Sequence, residues 1–101
     1  MDIEMISPRE IQKYMRMDGT ILVDMRDTVD FLDGHIRGAI NIPYESLPFQ
    51  YNYLKGFERV LLYCDRGNAS LIAAKDMAKE GIGVYAVCGG IHAYEGTLVK
   101  D

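Results

Sequence analysis

Short, continuous apolar segments alternate along this chain with segments whose apolar residues recur at helical spacing. The clearest helical segment is residues 70–80, in which Leu71, Ala74 and Met77 fall on one face together with Ala78. Five apolar segments have the length of buried strands and are bounded by glycine, proline or polar residues. These predicted strands lie at residues 3–6, 21–23, 39–42, 60–63 and 84–87.

Local signals mark where the other predicted helices begin and end. Residues 7–10, Ser-Pro-Arg-Glu, have the form of a capping box with proline in the first helical position, and the helix should run to about Met17. Asp27 is suited to cap a second helix, which Gly34 ends. Two shorter helical segments are expected at residues 51–55 and 91–95.

The alternation of continuous apolar strands with helices predicts an α/β fold. We expect three layers, in which a mainly parallel five-stranded sheet carries helices on both faces. A chain of 101 residues can bury a core without disulfides or a metal, so a single domain spanning residues 1–101 is expected. The hydrophobic fraction of 49% and the charged fraction of 26% are typical of a globular protein.

The charge balance and the cysteine spacing narrow the possible partners. A net charge of -4 argues against nucleic acid or an anionic membrane surface as the main partner. The first residues contain acidic side chains and no long apolar run, so neither a secretory signal nor a membrane span is expected and a cytoplasmic location is predicted. Cys64 and Cys88 fit no zinc-binding spacing, which predicts free thiols and no metal site.

Cys64 stands at the junction between the strand at 60–63 and the helix at 70–80. In parallel sheets, the loops at the carboxyl ends of the strands form the ligand crevice. If the loop at 65–69 curls, which Gly67 permits, its backbone N–H groups and the helix N-terminus would stabilise a thiolate and hold anions. On these residues alone, an inert buried cysteine in an ordinary strand-to-helix connection remains the alternative.

Three segments, in order, resemble the motifs of rhodanese-like domains. Residues 23–43 contain the D-x-R motif and then G-H-I-x-G-A-x-N-I-P. Residues 64–70, CDRGNAS, are similar to the active-site loop C-x-x-G-x-R-S, and residues 84–96 to the closing segment V-x-x-L-x-G-G-x-x-x-W. Tyr94 replaces the tryptophan of that segment, a change expected to affect only packing. The sequence is therefore identified as a member of this family.

The resemblance implies a sulfurtransferase in which Cys64 is the nucleophile. In this family the loop cysteine takes a sulfur from a small anionic donor such as thiosulfate, carries it as a persulfide, and passes it to a thiol or a protein acceptor. The resemblance implies no metal and no organic cofactor. The residues expected to bind the substrate are Asp65, Arg66, Gly67, Asn68, Ala69 and Ser70.

Departures from the family motif leave two other function classes open. Ala69 stands where many members carry arginine or another polar residue. Asp65 places a negative charge beside the sulfur and opposes thiolate formation, and Arg66 offsets that charge only if its guanidinium turns inward. A non-catalytic rhodanese-like module that binds partners or carries sulfur is therefore the main alternative. A phosphatase or arsenate reductase is disfavoured because its C-x5-R loop ends in an arginine, where this chain has Ser70.

Other polar residues are predicted to have structural roles. Asp24 and Arg26 are expected to pair and brace the loop after their strand, and His35 to be a hydrogen-bonded turn residue. His92 is expected at the surface. The aromatic residues in 44–57 are expected to form core or a partner-docking patch.

Cys88 is expected to lie close to Cys64, because their two strands should be neighbours in the sheet. One alternative is that Cys88 resolves the persulfide or an oxidised Cys64 by forming a disulfide. We expect instead that Cys88 fills an apolar slot under the turn at residues 89–90, with its sulfur directed away from the loop. On that view, Cys88→Ser retains most transferase activity and no internal disulfide forms under mild oxidation.

Overall fold

The computed structural model describes residues 3–100, so residues 1, 2 and 101 of the predicted single domain lie outside the described residues. Seven strands are present within the described range. None of the helices in this range is long and apolar enough to cross a membrane. The strands are β1 (Glu4–Ile6), β2 (Thr20–Asp24), β3 (His35–Ile36), β4 (Ala39–Asn41), β5 (Arg59–Tyr63), β6 (Val84–Val87) and β7 (Leu98–Val99).

Five of these strands form one parallel sheet in the order β1-β6-β5-β2-β4. They coincide with the five apolar segments of the sequence, so the predicted α/β architecture is confirmed. The strand that precedes Cys64, β5, lies between β6 and β2 in the middle of the sheet. Its carboxyl end is therefore flanked on both sides by the ends of other parallel strands, which is where ligand crevices form in such folds.

The helices confirm the predicted positions, with small shifts at their ends. The capping box at residues 7–10 is present, and the Glu10 carboxylate accepts a hydrogen bond from the backbone N–H of Ser7 at 2.8 Å. A 3-10 turn at Pro8–Glu10 leads into the first α-helix, and the last predicted turn is a 3-10 segment at Gly90–Ala93. The α-helices are α1 (Ile11–Met15), α2 (Thr28–Asp33), α3 (Tyr51–Leu54) and α4 (Asn68–Lys79).

Two hydrophobic clusters cover opposite faces of the sheet. On one face, α3 and α4 bury Leu54 and Met77 against the strands, together with Cys64. On the other face, Ile11 of α1 packs with Leu61 and Tyr63 of β5. Because neighbouring residues of β5 point to opposite clusters, the sheet is a true middle layer, as the continuous apolar strands predict.

Three local features differ from the sequence prediction. First, α4 begins at Asn68, two residues before the predicted start at 70, and Leu71 is only half-buried on its apolar face. Second, β3 and β7 form a small antiparallel sheet that the sequence did not predict. Third, the region before α3 is a 3-10 segment at Tyr44–Gln50. The first difference concerns only the end of a long helix, whereas the other two are short elements without the repeated pattern that identifies the longer ones.

Candidate active site

The sulfur of Cys64 lies inside the loop that joins β5 to α4. The backbone N–H of Gly67 donates to Sγ at 3.1 Å, and the backbone N–H of Ser70 donates to it at 3.4 Å. Cys64 is 6% exposed, so little water competes for these contacts. Two amides directed at one sulfur next to a helix N-terminus favour a negative charge there.

Gly67 allows the loop to curl around the sulfur. Its φ of +100° lies in the left-handed region, which residues with a Cβ rarely adopt. A Cβ at this position would lie 3.0 Å from the backbone nitrogen of Gly89. The loop is closed further by Ser70, whose Oγ donates to the carbonyl oxygen of Gly67 at 3.1 Å.

The turn after β6 holds the base of the same loop. The backbone N–H of Ile91 donates to the carbonyl oxygen of Cys64 at 2.9 Å, and that of His92 donates to the carbonyl oxygen of Asp65 at 3.2 Å. A Cβ on Gly90 would collide with both of these carbonyl oxygens. The glycine pair of the closing motif therefore permits close backbone contact with the cysteine loop.

The remaining residues of the predicted site divide between solvent and core. Asp65, Arg66 and Asn68 are exposed. Within residues 3–100, no hydrogen bond joins these three side chains to Cys64. Ala69 is half-buried and packs against the core cluster under α4, so its methyl group offers no polar contact. The structure thus brings Gly67 and Ser70 to the sulfur and leaves the two charged side chains at the rim.

A cleft of about 540 Å³ opens beside the exposed part of the loop. Asp65 and Arg66 line this cleft together with residues of α2 and with Gly34, which ends that helix. The contribution of α2 could not be predicted from the sequence, because the cleft depends on contacts between segments that are far apart in the chain. The lining residues are Arg26, Asp30, Asp33, Gly34, Asp65, Arg66, Ile91, His92 and Leu98.

Asp24 and Arg26 form the structural brace that the sequence predicted. The guanidinium Nη2 of Arg26 donates to Oδ2 of Asp24 at 2.8 Å and to the carbonyl oxygen of Gly34 at 2.6 Å. Both side chains are nearly inaccessible, at 8% and 0% exposure. Burial alone would lower the pKa of Arg26, but hydrogen bonding and charge attraction from Asp24 outweigh burial and raise it.

Tyr63, the residue before Cys64, joins this brace to β5. Its hydroxyl donates to Oδ2 of Asp24 at 2.6 Å and accepts the backbone N–H of Ile36 at 3.1 Å. Burial and then the hydrogen bond to Asp24 raise the pKa of Tyr63 far above that of a free tyrosine. This role of Tyr63 could not be predicted from the sequence, because an apolar strand pattern gives no sign that one of its residues makes a side-chain hydrogen bond.

His35 makes a hydrogen bond as predicted, but it lies in β3 and not in a turn. Nδ1 of His35 lies 2.8 Å from the carbonyl oxygen of Phe31, and the rings of the two residues stack with centroids 3.8 Å apart. His92 is exposed at the cleft. In the aromatic region, Tyr51 packs against the core, whereas Phe49 is 85% exposed.

Cys88 lies next to the site, but its predicted environment is wrong. The predicted pairing of β5 with β6 is confirmed. Both cysteines are free thiols, yet Cys88 is exposed rather than buried in an apolar slot. It follows the last residue of β6, at the carboxyl edge of the sheet, where the core layers end.

Comparisons with known proteins agree with this geometry. The family model for the rhodanese-like domain matches residues 7–97. The thiosulfate sulfurtransferase GlpE of Ectopseudomonas mendocina is 31% identical over 101 residues, which cover 99% of this chain and 92% of that protein. The uncharacterized protein slr1261 of Synechocystis sp. is 32% identical over 92 residues, and the match spans 89% of this chain but only 51% of that protein.

A solved structure gives the same result for the fold. The rhodanese-like domain protein of Staphylococcus aureus superposes with a TM-score of 0.85 at 26% identity, covering 98% of this chain and 100% of that chain. The overall fold of this chain is therefore shared with a solved rhodanese-like domain protein. The chain belongs to the family of rhodanese-like domains.

Proposed function

We propose that this protein is a thiosulfate-type sulfurtransferase that carries a sulfane sulfur as a persulfide on Cys64. The observation that supports the proposal is the pair of N–H groups, from Gly67 and Ser70, that point at Sγ. The same donors that favour a thiolate can favour a persulfide anion. The GlpE relatives, which are named thiosulfate sulfurtransferases and are about 30% identical, support the same reaction class.

In the first step, the Cys64 thiolate attacks the outer sulfur of thiosulfate. A bond forms between Sγ and that sulfur, the S–S bond of thiosulfate breaks, and its electron pair leaves with sulfite. The step is a nucleophilic displacement at sulfur and needs no external oxidant. Arg66 is the basic residue of the loop and is expected to attract the dianionic donor to the cleft.

In the second step, a thiophilic acceptor attacks the outer sulfur of the persulfide. With cyanide as the acceptor, the product is thiocyanate, and the electron pair of the broken S–S bond returns to Sγ of Cys64. In the cell, a thiol or a protein would take the place of cyanide. Both cysteines are free thiols, which suits the reducing cytoplasm predicted from the sequence.

Phosphoryl or arsenate chemistry fits the loop less well. Ser70 occupies the position at which a C-x5-R loop carries its arginine, and its hydroxyl is hydrogen-bonded back to Gly67. Ser70 is fully buried, and its neutral hydroxyl provides no positive charge for a phosphate oxyanion. A non-catalytic module that only binds partners would keep the fold but form no persulfide, whereas a sulfur carrier would gain sulfur without repeated turnover. The following experiment distinguishes both from an enzyme.

The purified protein is incubated with thiosulfate, its intact mass is measured, and cyanide is then added. We expect a gain of one sulfur atom, loss of that sulfur on addition of cyanide, and formation of an equivalent amount of thiocyanate. Cys64→Ser removes the nucleophile with little change in size, so the folded variant should neither gain sulfur nor form thiocyanate. Normal turnover by folded Cys64→Ser, or no sulfur uptake by the wild type, would refute the proposal.

A further inference from the structure

The pairing of β5 with β6 brings the two cysteines to matching positions. Leu62 lies opposite Ala86 in this parallel pair, so two residues further along each strand Cys64 and Cys88 correspond. Strand geometry continues as far as Cys88, because its N–H donates to the carbonyl oxygen of Ile6 in β1 at 2.8 Å. The two residues therefore end neighbouring strands at the same level of the sheet.

The two cysteines also belong to the same face of the sheet. Cys64 packs in the same cluster as Ala86, whereas Val87 packs in the cluster on the opposite face. Alternation along β6 then directs Cys88 to the face of Ala86 and Cys64. At this edge, the cysteine loop is the structure that covers that face.

Backbone contacts of the loop confirm how close it comes to Cys88. The Cβ position of Gly67 is 3.0 Å from the nitrogen of Gly89 and 3.7 Å from the carbonyl oxygen of Val87. Gly67 thus lies against the residues on either side of Cys88, and its own N–H contacts Sγ of Cys64 at 3.1 Å. A single loop residue touches both the Cys64 sulfur and the backbone around Cys88.

Exposure separates the roles that the two thiols can have. Cys64 is 6% exposed, whereas Cys88 is exposed at the surface. A small nucleophile such as cyanide can reach a recessed sulfur, but a cysteine on a folded protein or a peptide needs a more accessible one. Cys88 is the other cysteine of the chain, and the residues on either side of it lie against Gly67 of the same loop.

We propose that Cys88 is an internal sulfur acceptor that relays the sulfane sulfur from Cys64 to macromolecular thiols. The proposal rests on the persulfide chemistry proposed above for Cys64. The Cys88 thiolate attacks the outer sulfur of the protonated Cys64 persulfide, a bond forms between that sulfur and Sγ of Cys88, and the Cys64–sulfur bond breaks. The electron pair returns to Cys64 as a thiolate, so a thiolate and a persulfide are present before and after, and no redox partner is required.

The location of the sulfur tests the relay directly. The wild type, Cys64→Ser and Cys88→Ser are treated with thiosulfate, freed of excess donor, alkylated with iodoacetamide and analysed by peptide mapping. We expect alkylated persulfide on both cysteines of the wild type, on Cys64 alone in Cys88→Ser, and on neither position in Cys64→Ser. Sulfur confined to Cys64 in the wild type would overturn the relay and leave the sulfurtransferase proposal intact.

Three other outcomes have distinct meanings. Persulfide on Cys88 in Cys64→Ser would show direct loading and overturn the relay. A Cys64–Cys88 disulfide with release of sulfide would also overturn it, because attack would then have occurred at the inner sulfur. Absence of persulfide from both cysteines of the wild type would refute the sulfurtransferase proposal and the relay with it.

Kinetics with two acceptors provide an independent readout. For Cys88→Ser, with Cys88→Ala as a second variant, thiocyanate formation with cyanide should stay within about twofold of the wild type. Transfer to a synthetic peptide with a single cysteine should fall by at least about tenfold, because the exposed intermediate is lost. Equal rates of transfer to the peptide by the wild type and both variants would overturn the proposal.

Discussion

The hydroxyl of Tyr63 lies 2.6 Å from Oδ2 of Asp24, so the residue before Cys64 is tied to the neighbouring strand β2. The same hydroxyl accepts the backbone N–H of Ile36. Tyr63 is fully buried, and its ring packs on the face of the sheet opposite the cysteine loop. The active-site loop therefore starts from a strand end that is fixed by hydrogen bonds on its other side.

Replacing Tyr63 by phenylalanine should destabilise the protein more than it affects the chemistry. The change leaves a buried carboxylate oxygen with one donor fewer and a buried N–H without an acceptor, which typically costs about 1–3 kcal/mol. Denaturant unfolding measures the loss. Tyr53→Phe is the matched control, because Tyr53 is 53% exposed and its hydroxyl makes no hydrogen bond within residues 3–100. Equal stability of the two variants would contradict this role of Tyr63.

The stability of the protein should fall steeply in alkali because of Tyr63. Burial and the hydrogen bond to Asp24 raise its folded pKa above the value of about 10 in the unfolded chain. The contribution of the protonated Tyr63 to the free energy of unfolding is fully present below pH ~10. It is lost as pH rises above that value, by up to about 1.4 kcal/mol per pH unit. The stability difference between the wild type and Tyr63→Phe should therefore shrink above pH ~10, whereas parallel pH curves would show that Tyr63 titrates normally.

Most of the sheet could be predicted from sequence because each of its strands is a continuous apolar run beside a turn or helix signal. The position of Cys64 could be predicted for the same reason, since strand ends and helix starts have local signals. The pairing of β3 with β7 could not be predicted from the sequence, because two-residue strands far apart in the chain carry no periodic pattern. The exposure of Cys88 depends on where the covering layers end, and that is a property of tertiary packing.

Breaking the buried ion pair should be costly. Arg26→Met leaves the carboxylate of Asp24 buried with fewer partners and removes the contact to Gly34, so we expect a loss of about 3–5 kcal/mol in unfolding free energy. Arg9→Met is the control, because Arg9 and Glu95 are more than four-fifths exposed and 3.9 Å apart. The midpoint of denaturation of Arg9→Met should stay at the wild-type value. A similar small effect for Arg26→Met would show that the brace contributes little to stability.

Gly90→Ala should disrupt the base of the cysteine loop. Gly81→Ala is a matched control, because both glycines have positive φ, +60° and +84°, but a Cβ on Gly81 would meet nothing within 4 Å. The left-handed backbone alone costs alanine about 1–2 kcal/mol at either position. The added collision with the carbonyl oxygens of Cys64 and Asp65 should cost Gly90→Ala a further 1–3 kcal/mol or so and slow persulfide formation. Equal stability and equal sulfur uptake in the two variants would contradict the close contact.

Arg66→Gln should weaken the use of charged sulfur donors. Arg66 is exposed at the cleft of a protein with net charge -4, so its loss removes local attraction for a dianion. We expect a KM for thiosulfate that is higher by roughly threefold to tenfold, a smaller change with an uncharged donor, and a difference that diminishes at high salt. Arg37→Gln controls for net charge, because Arg37 is exposed and does not line the cleft. Equal rate losses with charged and uncharged donors would indicate that Arg66 acts through loop geometry, since electrostatic attraction acts only on the charged donor.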